Sequence, residues 1–352
     1  MRKLRPTIAA VDDVASDLTN EVGSPSWEPP TIDTWLTQAV DAGRWLIPGF
    51  IPEDGLCLLS GHKKRSMKTY SALTQALCMA TGVSSSLLEP IAPMPVLFVE
   101  EEGGTAETKE RVLGICKTLE IETNDPRLKN LYFAHRKRTK LDEPDWRHSL
   151  VSLVKRRGIK VAYFDALVYM HSADENKVSE MAPVLDTLQM IREAGSTAVY
   201  MCHLDKSRGE DRKADIDSQV RGAGVLTDAY DIHLAYRRYK MSEGHIDLTV
   251  RARSAGEERY SVAWQIENHK EGDRDIIDLA KLSMVRLNEG ADREQQVMRC
   301  YDSLEPGRLY SVKDCKEFWS TGLRATKQTM ADLVEKGLCE FSGASIRLVG
   351  EN

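Results

Sequence analysis

No two of the seven cysteines stand at C-x-x-C spacing; they are scattered singly at 57, 78, 116, 202, 300, 315 and 339. That pattern indicates neither a zinc site nor a disulfide framework, and it fits a reducing compartment. No apolar run approaches the roughly 20 residues of a membrane span, and the first residues lack an apolar signal region. The expectation is a cytoplasmic protein with no membrane partner. Positive charge is also short. Against 54 Asp and Glu stand 48 Lys and Arg, a formal net charge of −6. This excludes coating of nucleic acid through bulk charge and leaves only local patches for such contacts. Internal repeats and low-complexity tracts are missing as well. What remains is a chain of 352 residues, 41% hydrophobic and 29% charged, enough for a sizeable core and about two domains.

Residues 1–30 are polar, carry Pro25, Pro29 and Pro30, and read as an N-terminal arm. Thr31–Ile47 has helical spacing through Trp35, Ala39, Ala42 and Trp45, and leads into the turn Pro48-Gly49. From Leu56 onward apolar runs alternate with amphipathic stretches, the pattern of a mainly parallel sheet with crossover helices, an α/β fold. The expected strands are Leu56–Ser60, Pro95–Glu100, Leu131–Ala134, Val161–Asp165 and Thr197–His203. Between them the spacing predicts helices over Lys68–Thr81, Thr105–Leu119, Asp145–Arg157 and Glu180–Ala194. Unbroken runs such as VAYF and TAVYMC imply strands covered on both faces. Asp231–Tyr236, Ile246–Arg253 and Tyr260–Glu267 alternate and read as antiparallel extensions, closing a core of residues 31–268. Residues 269–290 are charged and broken by glycine, and are expected to be a linker. Three short helices (Arg293–Leu304, Ser311–Phe318, Leu323–Glu335) and a hairpin then suggest a winged-helix domain over 291–352.

The segment with most chemical content is LCLLSGHKKRSMKTYSALTQALCMATG, Leu56 to Gly82. It reads as strand, basic loop and helix, the grammar of a phosphate loop, which wants Gly, four residues, then Gly-Lys-Ser/Thr. Met67 stands in the second glycine's place, and Gly61 lies one residue too far upstream of Lys68. Arg65, Ser66, Met67 and Lys68 can still line a phosphate, with Lys68 for the β and γ oxygens and Thr69 for Mg²⁺. The missing glycine matters if the backbone there needs φ > 0. The alternative is a surface loop that happens to contain Lys-Thr.

Four further elements follow. Asp165 ends an apolar strand, where an Asp can hold a Mg²⁺ water shell or merely cap a turn. Asp174-Glu175-Asn176 beyond it is either an extension of that site or a helix cap. Glu100, Glu101 and Glu102 end another strand, and one of them can activate a water. His203 ends a third, as a γ-phosphate sensor or a strand-end hydrogen bonder. Between Lys206 and Arg221 the chain is charge-dense, with Lys206, Arg208, Arg212 and Lys213. Such a loop can line the channel of a ring and touch single-stranded nucleic acid, or touch nothing. Arg221 at its exit is an arginine finger for a neighbouring subunit or a plain surface residue.

In this order, from about Trp45 to Tyr236, the elements resemble the RepA-like family of RecA-fold ATPases, hexameric plasmid replicative helicases. The resemblance rests on Trp45-Leu-Ile-Pro-Gly-Phe-Ile-Pro, on Glu102 six residues after Val96, on Asp165 and residues 173–181, on His203 with Lys206, and on RGAGVLTDAYDIHLAYRR at 221–238. It departs at Met67, at the extra loop residue and at Cys202, where many relatives carry a first histidine. It implies a RecA-like core that binds ATP and Mg²⁺ through Lys68, Thr69 and Asp165. Glu102 then activates water, His203 senses the γ-phosphate and Arg221 acts across a subunit interface. The expected partners are DNA in a central channel, further copies of the chain in a hexamer, and replication or mobile-element proteins of a plasmid or phage. The alternatives are a DNA-binding replication regulator with a silent nucleotide site, or a RecA-fold kinase or recombination mediator.

The C-terminal domain lies outside that resemblance. Its expected recognition helix Leu323–Glu335 offers Arg324, Thr326, Lys327 and Gln328 near its start for phosphates or base edges. Nine Lys and Arg against ten Asp and Glu over 291–352 give no net basic patch, so protein contact is the competing role.

Overall fold

The computed structural model describes residues 29–37, 44–63, 66–205, 215–222, 224–238, 245–253, 256–272 and 274–287, and in the C-terminal part 297–298, 300–301, 303–305, 308–319 and 323–349. The chain divides into two units, Met1–Ala42 and Gly43–Asn352. In the first, α1 (Ile32–Thr37) opens with a hydrogen bond from Trp35 N–H to Thr31 O of 2.8 Å. Residues 1–28 of the expected arm lie outside the described residues.

The second unit begins with β1 (Trp45–Ile47) and β2 (Ile51–Pro52), a short antiparallel ribbon. The helix expected through Ile47 is thus corrected: Pro48 disfavours helical backbone at the residue before it, and the turn folds Leu46, Ile47 and Ile51 into the core. Then come β3 (Leu56–Gly61), α2 (Lys68–Thr81), β4 (Val96–Glu100), α3 (Thr105–Thr118), β5 (Leu131–His135), α4 (Pro144–Arg157), β6 (Val161–Asp165), α5 (Val178–Glu193), β7 (Thr197–His203), α6 (Val225–Asp228) and β8 (Ile232–Arg237). The antiparallel strands β9 (His245–Ala252), β10 (Gly256–Glu271) and β11 (Arg274–Leu287) follow.

One nine-stranded sheet holds them in the order β11-β10-β9-β8-β3-β7-β6-β4-β5. The six strands from β8 to β5 are parallel, and β9 to β11 extend them antiparallel. This is a mainly parallel, helix-flanked sheet, the α/β fold expected from the sequence. Alternation along β3 sorts its side chains: Cys57 and Leu59 face Leu73 and Leu77 of α2 and Ile115 of α3, while Leu56 and Leu58 face Leu150 of α4 and Leu188 of α5. Burial on both faces is why these strands read as unbroken apolar runs.

The expected linker at 269–290 is instead mostly strand. Arg274–Leu287 pairs with β10 from Arg274↔Glu271 to Leu287↔Arg259. One face of β11 meets α3, where Ile277, Ala280, Leu282 and Met284 are buried, while the alternating Lys281, Ser283 and Val285 are exposed. Its charges are the outward half of a period-2 pattern. Gly114 is the contact point, since a Cβ there would overlap Ile277 Cγ2.

In the C-terminal part β12 (Tyr310–Ser311), α7 (Val312–Phe318), α8 (Leu323–Glu335), β13 (Cys339–Ser342) and β14 (Ser345–Leu348) surround a separate apolar cluster that includes Trp319, Met330, Leu333 and Ile346. The three strands run in the order β12-β14-β13. Ser311 and Asp314 form a reciprocal capping box at the start of α7, which satisfies two amides that the helix leaves open. All seven cysteines are buried and none forms a disulfide. Among the described residues no helix is long and apolar enough to cross a membrane.

Candidate nucleotide site

Four parallel strands end on chemically active residues: β3 on Gly61, β4 on Glu100, β6 on Asp165 and β7 on His203. The register places Gly61 beside His203 and Glu100 beside Asp165. Between β3 and β4 the chain crosses over β7 and β6. The carboxyl ends of parallel strands, next to such a change of direction, are where open α/β sheets bind ligands. A cavity of about 480 Å³ opens there, lined among others by Ser66, Met67, Lys68, Thr69, Glu102 and His203.

The phosphate loop reaches this cavity with a bent backbone. Met67 lies at φ 56, ψ 24, in the left-handed region, immediately before α2. The conformation that a glycine would supply is therefore kept, and Met67 adopts it at a cost of roughly 1–2 kcal/mol. Gly61 is needed for another reason: a Cβ there would collide with Ser66 Oγ and Lys68 Cγ. Ser66 Oγ donates to His62 O at 2.8 Å and closes the loop. A β-branched residue tolerates φ > 0 worst. Met67→Val is accordingly expected to be about 1–2 kcal/mol less stable than Met67→Gly, a difference readable from urea midpoints; equal midpoints would show that the turn bears no strain.

Lys68 is only 7% exposed, and burial pulls its pKa down against the pull of Asp165 and Glu102. Its Nζ lies 3.1 Å from His203 Nδ1, its one hydrogen bond among the described residues. An ammonium only donates, so Nδ1 accepts and the imidazole proton sits on Nε2. That Nε2 is buried without a hydrogen-bond partner, 3.6 Å from Glu102 Oε2. Burial first, then Lys68, Lys63 and Arg221, hold the His203 pKa down to about 3. The site therefore presents an ammonium with donors to spare and a neutral N–H donor, a set that fits phosphate oxygens.

The depressed His203 pKa carries a stability consequence. Its contribution is present above the unfolded value near 6.5 and is lost as pH falls towards the folded value near 3, because the unfolded chain then binds a proton that the folded one refuses. His203→Gln is expected to lose less stability than wild type between pH 7 and 4, measured by urea unfolding. Parallel curves for the two proteins would contradict the neutral, buried imidazole.

Thr69 Oγ1 donates to Asp165 Oδ2 at 2.7 Å. Burial raises the Asp165 pKa to about 6, opposed by Lys68 and the Thr69 hydroxyl. Among the described residues no group of three or more His, Cys, Asp or Glu is placed to hold a metal. A hydroxyl paired with one carboxylate suits Mg²⁺, which keeps several waters and takes phosphate oxygens as further ligands.

The three consecutive glutamates separate by environment. Glu100 is 1% exposed; both its oxygens accept from Thr108 Oγ1, at 2.9 and 2.7 Å, and burial raises its pKa. Glu101 accepts the backbone N–H groups of Lys137, Arg138 and Thr139 at 2.9–3.1 Å, where Arg136 and Arg138 have positive φ; it anchors that loop. Glu100 and Glu102 both line the cavity, but only Glu102 does so with an open side chain, 31% exposed, between Lys63 Nζ at 3.5 Å and His203. It alone of the three combines contact with water and uncommitted lone pairs.

Arg221 stands apart. Its backbone N–H donates to His203 O at 3.0 Å, while its side chain, 64% exposed, pairs with Glu175 at 3.3 Å and does not line the cavity. Asp174 Oδ1 accepts from Asn176 N–H at 3.0 Å, so that polar cluster is a turn and an ion pair, and it does not line the cavity. Arg65, Lys206, Arg208, Arg212 and Lys213 lie outside the described residues, as does the side chain of Arg324. Lys327 is exposed on the first turn of α8, whereas Thr326 is fully buried; the expectation that Thr326 faces a ligand is corrected. Tyr70, Glu107 and Arg111 also line the cavity, with Arg111 paired to Glu107 and its guanidinium 5.5 Å from the Tyr70 ring centroid. The i, i+4 spacing of Glu107 and Arg111 announces a shared helix face, but not that this face meets the loop.

Comparison with known proteins adds three findings. The AAA domain family matches residues 24–209, more than half of the chain. No curated protein matches the sequence. Among solved structures, that of a DnaB-like replicative helicase and its interactions with primase superposes with a TM-score of 0.47 at 16% identity, over 60% of this chain and 55% of that one. The chain thus spans about half of that structure's length.

Proposed function

The chain belongs to the AAA domain family, and from that premise we propose that it is a ring-forming, DNA-associated ATPase, a helicase or translocase of a plasmid, phage or other mobile element. At the general level the family makes it an NTPase. The observation that carries the finer reading is the meeting of Lys68, Thr69, Asp165, Glu102 and His203 at four adjacent strand ends, with Arg221 exposed and outside that cavity.

In this reading Lys68 and the amides of Ser66, Met67 and Lys68 hold the β and γ phosphates of ATP. Thr69 and Asp165 would hold Mg²⁺, which supplies charge neutralisation at the phosphate oxygens. Glu102 takes the proton of the attacking water. His203 Nε2–H donates to the γ-phosphate and couples its presence to Lys68 through Nδ1. Arg221, exposed and outside the lining of its own cavity, completes the site of a neighbouring subunit, so a ring, hexameric in the family the sequence resembles, is the working form. Single-stranded DNA would pass beside the β7–β8 crossover that carries Lys206, Arg208, Arg212 and Lys213. Residues 291–352 would serve as a winged-helix domain for DNA or replication proteins, with Arg324 and Lys327 on its recognition helix. Their balanced charge leaves DNA or protein as the partner to be read from experiment.

Mass in solution with and without ATP, combined with subunit mixing, tests the reading. Arg221→Ala and Lys68→Ala subunits are each expected to be inactive alone and to regain part of the turnover when mixed, because Arg221 and Lys68 then meet across an interface. A monomer that hydrolyses ATP regardless of Arg221 would overturn the ring. Absent turnover with retained DNA binding would favour the regulator with a silent site.

A further inference from the structure

Glu102 is flanked by two residues tied to one segment, residues 135–139. On one side the Glu101 carboxylate accepts the backbone N–H groups of Lys137, Arg138 and Thr139. On the other, His135 at the end of β5 places Nε2 3.2 Å from Gly103 O. A carbonyl only accepts, so Nε2 carries a proton and donates it. The parallel register sets His135 beside Glu100, and the same Nε2 lies 3.5 Å from Glu100 Oε2. Its Nδ1 lies 3.4 Å from Oγ1 of Thr105, the first residue of α3. One imidazole, its side chain 15% exposed, thus reaches the start, the middle and the end of the connection from β4 to α3.

That connection is shaped to be held from this side. A Cβ at Gly103 would overlap Glu100 Oε1 and Thr108 Oγ1, so the Gly103 backbone is seated against the buried Glu100 carboxylate. Gly104, the N-cap of α3, has no side chain to cap the helix. Glu102, Gly103 and Gly104 all line the cavity, whereas His135 does not. With both flanking residues fixed, Glu102 is left chiefly its own side-chain rotamers to search.

We infer that His135 is a positioning residue: together with Glu101 it clamps the backbone on both sides of Glu102 and aims that carboxylate at the water it activates. The inference rests on the ATPase reading above. Lying outside the cavity, the imidazole acts only through the turn at Gly103.

His135→Leu and His135→Gln of the full chain test the clamp. Leucine keeps apolar bulk and donates nothing, whereas the glutamine amide reaches about as far as Nε2 and can donate to Gly103 O. His135→Leu is expected to lower kcat for ATP about 10–100-fold, the scale of a 1 Å misplacement near the chemistry, with KM within about twofold. His135→Gln should stay within about threefold of wild type, because the donor is kept. In a Glu102→Gln background, read in single turnovers, His135→Leu should cost less than about twofold, since it acts through the group already removed. Amide hydrogen exchange over residues 101–104 without nucleotide should rise several-fold in His135→Leu and stay unchanged in His135→Gln. Wild-type kcat in His135→Leu, no recovery in His135→Gln, or the same loss in both backgrounds overturns the clamp. If His135→Leu fails to fold, His135→Asn takes its place, because its amide reaches only as far as Nδ1. A wild-type chain without turnover would refute the ATPase reading, while the exchange contrast still decides whether His135 holds the turn.

Discussion

Lys68→Ala is expected to lower ATP turnover by at least about 10³-fold, the scale on which removal of a phosphate-clamping cation acts. The ammonium is nearly sealed, and its one hydrogen bond among the described residues goes to a neutral imidazole. A buried cation so weakly paired is costly to the empty protein, and a phosphate would supply the missing acceptors. Lys68→Met separates the two consequences. It keeps the side-chain bulk, removes the charge, and should abolish turnover while leaving the thermal midpoint unchanged or raised. Turnover surviving in Lys68→Ala would sink the site assignment. A large fall in the midpoint of Lys68→Met would instead show that the lysine is structural.

Glu102→Gln is expected to reduce turnover by about 10²–10⁴-fold, the usual contribution of a general base, with nucleotide affinity within about threefold. The amide keeps the shape but cannot take a proton. The neighbouring residues serve as controls because the structure gives each a different task. Glu101→Gln weakens an acceptor of three backbone N–H groups and should cost about 1–2 kcal/mol of stability. Glu100→Gln, with both oxygens on Thr108, should change turnover less than about tenfold. If Glu100→Gln proves the inactive variant and Glu102→Gln the active one, the base has been misassigned.

Much of this site was legible in the sequence because a parallel α/β fold brings strand ends together. The expected spans of α2, α8, β6 and β7 coincide with those in the structure. Once those strands run parallel in one sheet, Asp165 and His203 must share an edge with Gly61. The divergent loop was readable in the same conditional way: the question whether Met67 needs φ > 0 was posed by the spacing, and only the backbone answers it. The reading failed where local pattern and tertiary use part company. Arg274–Leu287 looks like a linker because five of its fourteen residues are charged, yet its buried residues pack on α3. Trp45–Ile47 looks helical until the turn at Pro48 folds it against β2.

The sequence by itself determined the order of the elements, the fold class and the residue types at the strand ends, because those follow from periodicity and short motifs. Only the tertiary structure decided which of three adjacent glutamates faces water and on which His203 nitrogen the proton sits. It also revealed that Ser60, His233 and Asp217 are linked across 157 positions of sequence from Ser60 to Asp217. Partners so distant along the chain meet through strand order and register, and no local pattern encodes that meeting.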